Sequence, residues 1–527
     1  MSTRPFSRPK LVAALLLLVG QAAHAQMTDQ TQTPNVERAG IFKSLDEEIG
    51  AGVGDYRTPD SSTFITMRDP ARAVRRGRQL FQRKFTLLQG FGPRTHDGIG
   101  DIAAEGAIGA GLVDSCAGCH GRPRGGAGFG GDVATRPDSR DAPHLFGLGL
   151  QEMLGDEITS DLRAIRQNAR ELAQRSRRTV SLPLQSKGVQ YGVIRADPDG
   201  RIDTSGVRGV NADLRVRPFF AQGGTTSIRE FIVGALNDEM GLQAVDQLTA
   251  RASAGERVVT PTGMVLDGSL DQVKRSLATF PADDPDNDGS HNEIPQALVD
   301  YMEFYLFNYF KPATYRQSAT TQLGLALMKQ VGCTGCHVQN MTISRDRRVA
   351  DVETSYDPSR AIFNGLYATA RLLVYEEDDG SGYPTIKRPL QNSFVVRNFF
   401  ADMKRHDLGP AFHERNYDGT ITKEFMTEPL WGVGSTAPYG HDGRSINLRE
   451  VILRHGGEAE KSRNAFAALP EIGKLAMFEF LNSLVLFPPD DTASNLDPGN
   501  PSAPDYPQHG HGSISLSVLF NSPTDLE

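Results

Sequence analysis

DSCAGCHGRPRGG (residues 114–126) and VGCTGCHVQNMTI (331–343) hold all four cysteines of this chain, each pair within a Cys-x-x-Cys-His pattern. Thiols only two residues apart point to redox or metal chemistry rather than to a structural disulfide. Zinc bound by Cys116, Cys119, Cys333 and Cys336 accounts for the thiols but gives no reason for the histidine after each pair. A c-type haem accounts for all six residues. The thiols form thioethers to the porphyrin vinyl groups, and the next residue lies where its imidazole binds iron. Two covalently bound c-type haems are therefore expected, with His120 and His337 as proximal iron ligands.

The chain opens with Arg4, Arg8 and Lys10, then the apolar run LVAALLLLVG (11–20), then a small-x-small site at Ala23-His24-Ala25. This order is that of a secretory signal peptide, residues 1–25, because so short an apolar run does not span a bilayer. The expected location is periplasmic, with no transmembrane segment. The formal net charge of −8 becomes more negative by three when those cations leave. Such a surface argues against nucleic acid and suits a basic protein partner.

RPFFAQGGTTSIREFI (217–232) and APYGHDGRSINLREVI (437–452) align without gaps, sharing Pro218/Pro438, Gly223/Gly443, Arg229/Arg449, Glu230/Glu450 and Ile232/Ile452. Each copy reads as a glycine-containing turn followed by a helix. Ser227 with Glu230, and Asn447 with Glu450, have the spacing of an N-cap and the third helical residue. Ile228, Phe231 and Ile232, like Leu448, Val451 and Ile452, fall at i, i+3, i+4 and make one apolar face. ALVDYMEFYLFNYFKP (297–312) and KLAMFEFLNSLVLFPP (474–489) read as closing helices stopped by proline.

A chain of 527 residues exceeds what one core holds, and the repeat divides it. The expected fold is mainly α: two cytochrome c-like haem domains in tandem, with loop-rich insertions, at 65–320 and 321–489. The signal peptide and a leader segment (26–64) precede them, and an extended tail (490–527) follows. RAIRQNARELAQRSRRTV (163–180) reads as a solvated charged helix. DDPDNDGSHNEIP (283–295) places Asp284, Asp286 and Asp288 at alternate positions before Gly289, which fits the opening of a calcium loop and equally a plain acidic turn.

IREFIVGALNDEMG (228–241), RHDLGP (405–410) and EPLWGVGSTAPYGHDGRSINLREVILRHGGEA (428–459), with the two cysteine motifs, resemble the di-haem c-type oxidoreductases, relatives of bacterial di-haem cytochrome c peroxidases. The resemblance covers most of 65–489. It implies that a small-molecule oxidant such as peroxide reacts at the first haem. The second haem is then a higher-potential relay, fed by a small exported redox protein of cytochrome c or cupredoxin type. It also implies bound calcium, and a catalytic role for Glu239, which matches the family's proton-moving Glu in Val-Glu-Met-Gly. Two family features lack a counterpart: Ala221 stands where the inter-haem Trp is expected, and Phe231 where a Gln is expected.

Where the repeat has Ala221 and Ala235 in its first copy, the second has His441 and His455. The second half thus offers iron ligands where the first offers methyl groups. His455 extends the apolar stripe of its helix and leads as sixth ligand of the second haem, although a histidine also suits a helix C-terminus. Met426, whose thioether favours ferrous iron, and His441, as a ligand or a hydrogen-bonding group, follow; Tyr439 is a weaker candidate. For the first haem, His144 reads either as a labile, catalytically relevant sixth ligand or as a histidine in a proline-bounded turn. Arg122 and Arg124 are natural propionate partners, and Trp431 reads as a core residue that can pack on the second haem, with an electron relay as the alternative. Peroxide reduction leads among the functions. A non-enzymatic periplasmic electron-transfer cytochrome and a haem oxygenase acting on an organic substrate are the alternatives.

Overall fold

The Gln296–Phe307 helix is buried from Ala297 onward along its whole length, and the first half of the chain is assembled around it. In the computed structural model, residues 45–85, 113–121, 127–130, 132–133, 140–285, 287, 289–309, 313–314, 317–348, 350–355, 367–372, 374–377, 386–389, 393–416 and 418–486 are described. The signal peptide, Arg122, Arg124, Asp286, Asp288 and the 490–527 tail lie outside them. Two other helices cross the central one at glycines. A Cβ on Gly77, in the Pro70–Gln82 helix, would lie 2.1 Å from Tyr301 O, and one on Gly149, in the Leu148–Ser176 helix, 2.0 Å from Phe307 O. Only a residue without a side chain permits backbones so close.

The Leu148–Ser176 helix runs for 29 residues, buried through its first turns and increasingly exposed toward its end. The charged helix expected at 163–180 is this exposed end, and by Val180 the chain is already in a strand. Val180–Ser186 and Val189–Ala196 form a hairpin with Ile202–Asp203 added at its edge. Val189, Tyr191, Ile194 and Ala196 are buried and Gln190, Val193 and Arg195 exposed, largely the period-two pattern of a half-buried strand. At the hairpin tip, Lys187 Nζ reaches Glu157 Oε2 at 2.6 Å and Thr342 O at 2.5 Å.

The turn-and-helix repeat exists in three dimensions. Phe219 bridges Thr225, and Tyr439 bridges Ser445; Gly223 and Gly443 both take positive φ, 70° and 62°. Ser227 and Asn447 cap the helices Ile228–Asp238 and Leu448–Arg454 by accepting from the N–H of Glu230 and Glu450. The return bond is displaced by one residue in both copies: Glu230 accepts from Thr226 N and Glu450 from Ile446 N. The expected closing helices are Gln296–Phe307 and Glu471–Asn482.

The architecture is nevertheless not a mainly α pair of cytochrome c-like domains in tandem. Helices are a minority of the chain, and nineteen short strands pair into nine small sheets among the described residues. The larger apolar core runs from Leu45 to Leu486 and mixes residues of both sequence halves, while a smaller one is drawn from 328–484. Strong helical periodicity near the repeats led to the helical expectation. The short alternating strands between them carry too little signal in a single sequence to oppose it.

The duplicated arginines have diverged. Arg229 is fully buried and binds Asp246, Asp300 and Glu303, each at 2.8 Å and each no more than 2% exposed. Arg449 pairs with Glu471 in solvent. Removing a buried cation strands its carboxylates in low dielectric, whereas an exposed pair contributes little. Arg229→Leu is therefore expected to cost about 3–5 kcal/mol and Arg449→Leu less than about 1 kcal/mol, as read from denaturant midpoints.

Candidate functional site

The first cysteine motif is a single helical turn, Cys116–His120, capped by Ser115, whose Oγ accepts from Gly118 N. His120 Nδ1–H donates to Pro143 O at 2.7 Å. The second motif begins as the 3-10 turn Cys333–Gly335, and His337 Nδ1–H donates to Phe400 O at 2.9 Å. A carbonyl can only accept, so each Nδ1 carries a proton; the Gly128 carbonyl also bears on His120, while Phe400 is the one carbonyl that does so on His337 among the described residues. Burial lowers the basicity of both imidazoles, His337 to about 4.

No disulfide joins any of the four cysteines. Burial pushes Cys116 up to about 12, and burial with the Glu239 charge pushes Cys119 up to about 11; Cys333 is likewise raised to about 11 by burial. Redox-active Cys-x-x-Cys pairs depend on a lowered thiol pKa, so these surroundings oppose disulfide-exchange chemistry. The four-cysteine zinc site is not formed either. Among the described residues the only grouping of three or more candidate metal ligands is Cys336, Asp402 and His406.

Both motifs face one cavity of about 1060 Å³ that Cys116, Cys119, His120, Cys333, Cys336 and His337 all line. The walls are largely apolar: Phe219 and Phe231 belong to the core that Cys116 packs against, Leu448 and Ile452 to the one that Cys333 packs against, and Phe220, Ala221, Ala235 and Val451 line the cavity as well. Glu239, the C-cap of the Ile228–Asp238 helix, opens onto the cavity near Cys119.

His455, Met426, His441 and His144 also line the cavity, but in different states. His455 follows the last residue of the Leu448–Arg454 helix, and its Nδ1–H donates to Val451 O at 2.6 Å. Its charge is felt at His337, and its Nε2 has no hydrogen-bond partner among the described residues. His441 is stacked on Phe425 at 3.9 Å, with Nε2 at an ion-pair distance of 3.5 Å from Glu414 Oε2. Met426 pairs with Arg405 and lies against the Ala221–Gly223 turn, its N–H donating to Ala221 O. Tyr439 donates its hydroxyl to Val433 O.

His144 uses both ring nitrogens: Nδ1 accepts from Phe146 N and Nε2–H donates to Trp431 O at 3.0 Å. Trp431 is buried, edge-on to Phe399, and packed so closely on Gly147 that a Cβ there would lie 2.8 Å from its ring. Of the calcium candidates only Asp284 is described; its carboxylate accepts from Gly289 N.

Sequence reasoning missed two features. His406, inside RHDLGP, sits between Asp402 and Glu458 at 2.8 Å from each. Glu428 opens onto the cavity, where burial pushes its carboxyl up to about 7. His406 is recoverable in principle, since Asp402 and His406 lie four residues apart, but Glu458 is distant in sequence. Glu428 carries no local signal beyond an acid beside Pro429-Leu430-Trp431.

Residues 375–484 match the family model described as "Di-haem oxidoreductase, putative peroxidase". The resemblance to di-haem oxidoreductases holds over that segment. No match to a curated protein was found. Among solved structures, the hydrazine synthase of Kuenenia stuttgartiensis is similar at 14% identity and a TM-score of 0.22, over 37% of this chain and 57% of that one. This chain thus spans little more than half the length of that chain.

A di-haem family implies haem as the cofactor, and the residues present fit it. Imidazoles that ligate metals characteristically donate their second ring nitrogen to a carbonyl or carboxylate, as His120 and His337 both do. Two thiols flank each imidazole, and the cavity is apolar and shared. No helix among the described residues is long and apolar enough to cross a membrane.

Burial lowers His144 from 6.5 to about 4. The unfolded chain therefore binds a proton in this window that the folded chain does not. The His144 contribution is complete above pH 6.5 and is lost as pH falls toward 4. His144→Gln is expected to flatten the acid loss of stability between those values, measured by denaturant unfolding at stepped pH.

Proposed function

We propose that this chain is an exported, periplasmic di-haem c-type oxidoreductase, with haem tethered to Cys116 and Cys119 and again to Cys333 and Cys336. Hydrogen peroxide is reduced at the first haem, and electrons arrive through the second from a small redox protein of cytochrome c or cupredoxin type. The observation that carries this reading is the unequal supply of imidazole. His455 offers Nε2 to the cavity near His337, while His144, the histidine that feels the charge of His120, has both nitrogens engaged. The second site therefore has a sixth ligand at hand and the first leaves a position for a small molecule.

Bound haem iron supplies the one-electron redox chemistry. The chain's own groups do the rest. His120 is held in one tautomer by Pro143 O, which keeps its Nε2 directed to the cavity. Phe220, Phe231 and Ala235 give the cavity apolar walls. Glu239 accepts a proton from one peroxide oxygen and returns it to the other, the oxygen that leaves as water. Overall one peroxide takes two electrons and two protons and gives two waters.

Ala221 and Phe231, where the resembled peroxidases have Trp and Gln, favour a second reading, a cytochrome that only carries electrons. One pair of experiments separates the two. Intact mass of the mature chain should show two added haems, and reduced donor should be consumed when peroxide is supplied. Glu239→Gln should lower kcat/KM for peroxide by about 10²–10⁴-fold with haem content unchanged. A fully loaded protein without peroxide turnover would leave the electron carrier.

A further inference from the structure

RHDLGP and HGGEA are two of the stretches that carry the family resemblance, and the peroxide reading gives them no task beyond His455. In the fold they are docked on each other. Asp407 N donates to Glu458 Oε1, and Gly456 N to Leu408 O at 2.9 Å. A Cβ on Gly457 would lie 2.1 Å from Asp407 O, so the turn after His455 is pressed flat on the 407–409 backbone. At the centre is His406, buried, with Nε2 2.8 Å from Asp402 Oδ2 and Nδ1 2.8 Å from Glu458 Oε2. Both carboxylates only accept, so both ring nitrogens carry protons and the ring is an imidazolium.

The two carboxylates belong to opposite sides of the second site. Asp402 follows by two residues Phe400, whose carbonyl fixes His337. That short segment is bent, with Asn398, Phe400 and Met403 all at positive φ, and it is pinned again where Tyr191 Oη donates to Asp402 O. Glu458 follows His455 by three residues. One imidazolium thus joins the segment that aims His337 to the turn that ends at His455.

We infer that His406 is a positioning residue, a clasp that holds His455 at the second haem's sixth position by tying the 455–458 turn to the 400–402 segment. The inference rests on the haem assignments proposed above. With the clasp closed, His455 competes well against outside ligands because its backbone cannot drift; with it open, the same side chain is present but no longer preorganised. Partners one shell out from a metal commonly change ligand affinity by 10–100-fold. If Cys336 stayed a free thiol, Cys336, Asp402 and His406 would instead form a small metal site, which tethered haem precludes.

The test uses the haem-loaded, full-length protein and two variants, His406→Gln and Glu458→Ala. The second removes a side chain 55% exposed and is the safer one to fold. Readouts are the optical and paramagnetic resonance spectra of each haem and titration with imidazole. In both variants two haems should remain and the first-haem signal should be unchanged. The second haem should lose low-spin character, and imidazole should bind it about tenfold more tightly. If His406→Gln does not accumulate, Glu458→Ala decides alone. Second-haem spectra and imidazole affinity identical to wild type would overturn the clasp, as would parallel changes at both haems. Wild-type protein without two haems would instead overturn the assignment on which the clasp rests.

Discussion

A histidine offered to a cavity is only as well placed as the nitrogen it keeps back. His120 and His337 each donate Nδ1–H to a backbone carbonyl far along the chain, Pro143 and Phe400. Those bonds place a proton on Nδ1 and restrain the ring from turning. They hold only if the carbonyls do not move, and the surrounding fold supplies that. Pro143 stands at the entrance to the Leu148–Ser176 helix, which is locked on the central helix at Gly149. Phe400 sits where the two cores meet: Phe399 packs in the larger and Phe400 in the smaller.

The repeat shows what each half has kept and what it has surrendered. The glycine turn and the capped helix are retained in both, down to the displaced return bond from Glu230 and Glu450. Arg229 became the centre of a buried cluster that welds the first half together, while its counterpart stayed on the surface. Facing the cavity the exchange runs the other way: alanines in the first half, histidines in the second.

The repeat, its caps and the closing helices were legible because each is a local pattern with fixed spacing. So was the inward direction of His455, from the apolar stripe that precedes it. The overall fold was not. Two- and three-residue strands, such as Arg405–Asp407 against Glu424–Met426, are specified by pairing with distant segments and leave almost no periodicity behind. His144 and His441 were legible as candidates but not in their states, because Trp431 and Glu414, which engage them, are far off in sequence.

The acids around the cavity divide along the same line. Near the second motif Asp402 and Glu458 are spent on His406, so their charge is compensated and fixed in place. Near the first, Glu239 faces the cavity and its charge reaches Cys119. A carboxylate held in an ion pair is a poor proton carrier, since taking up a proton breaks the pair. On the function proposed above, proton handling and the small-molecule position fall at the Glu239 end of the cavity and ligation at the His455 end. Such a division suits a reaction that consumes protons at one site and passes only electrons through the other.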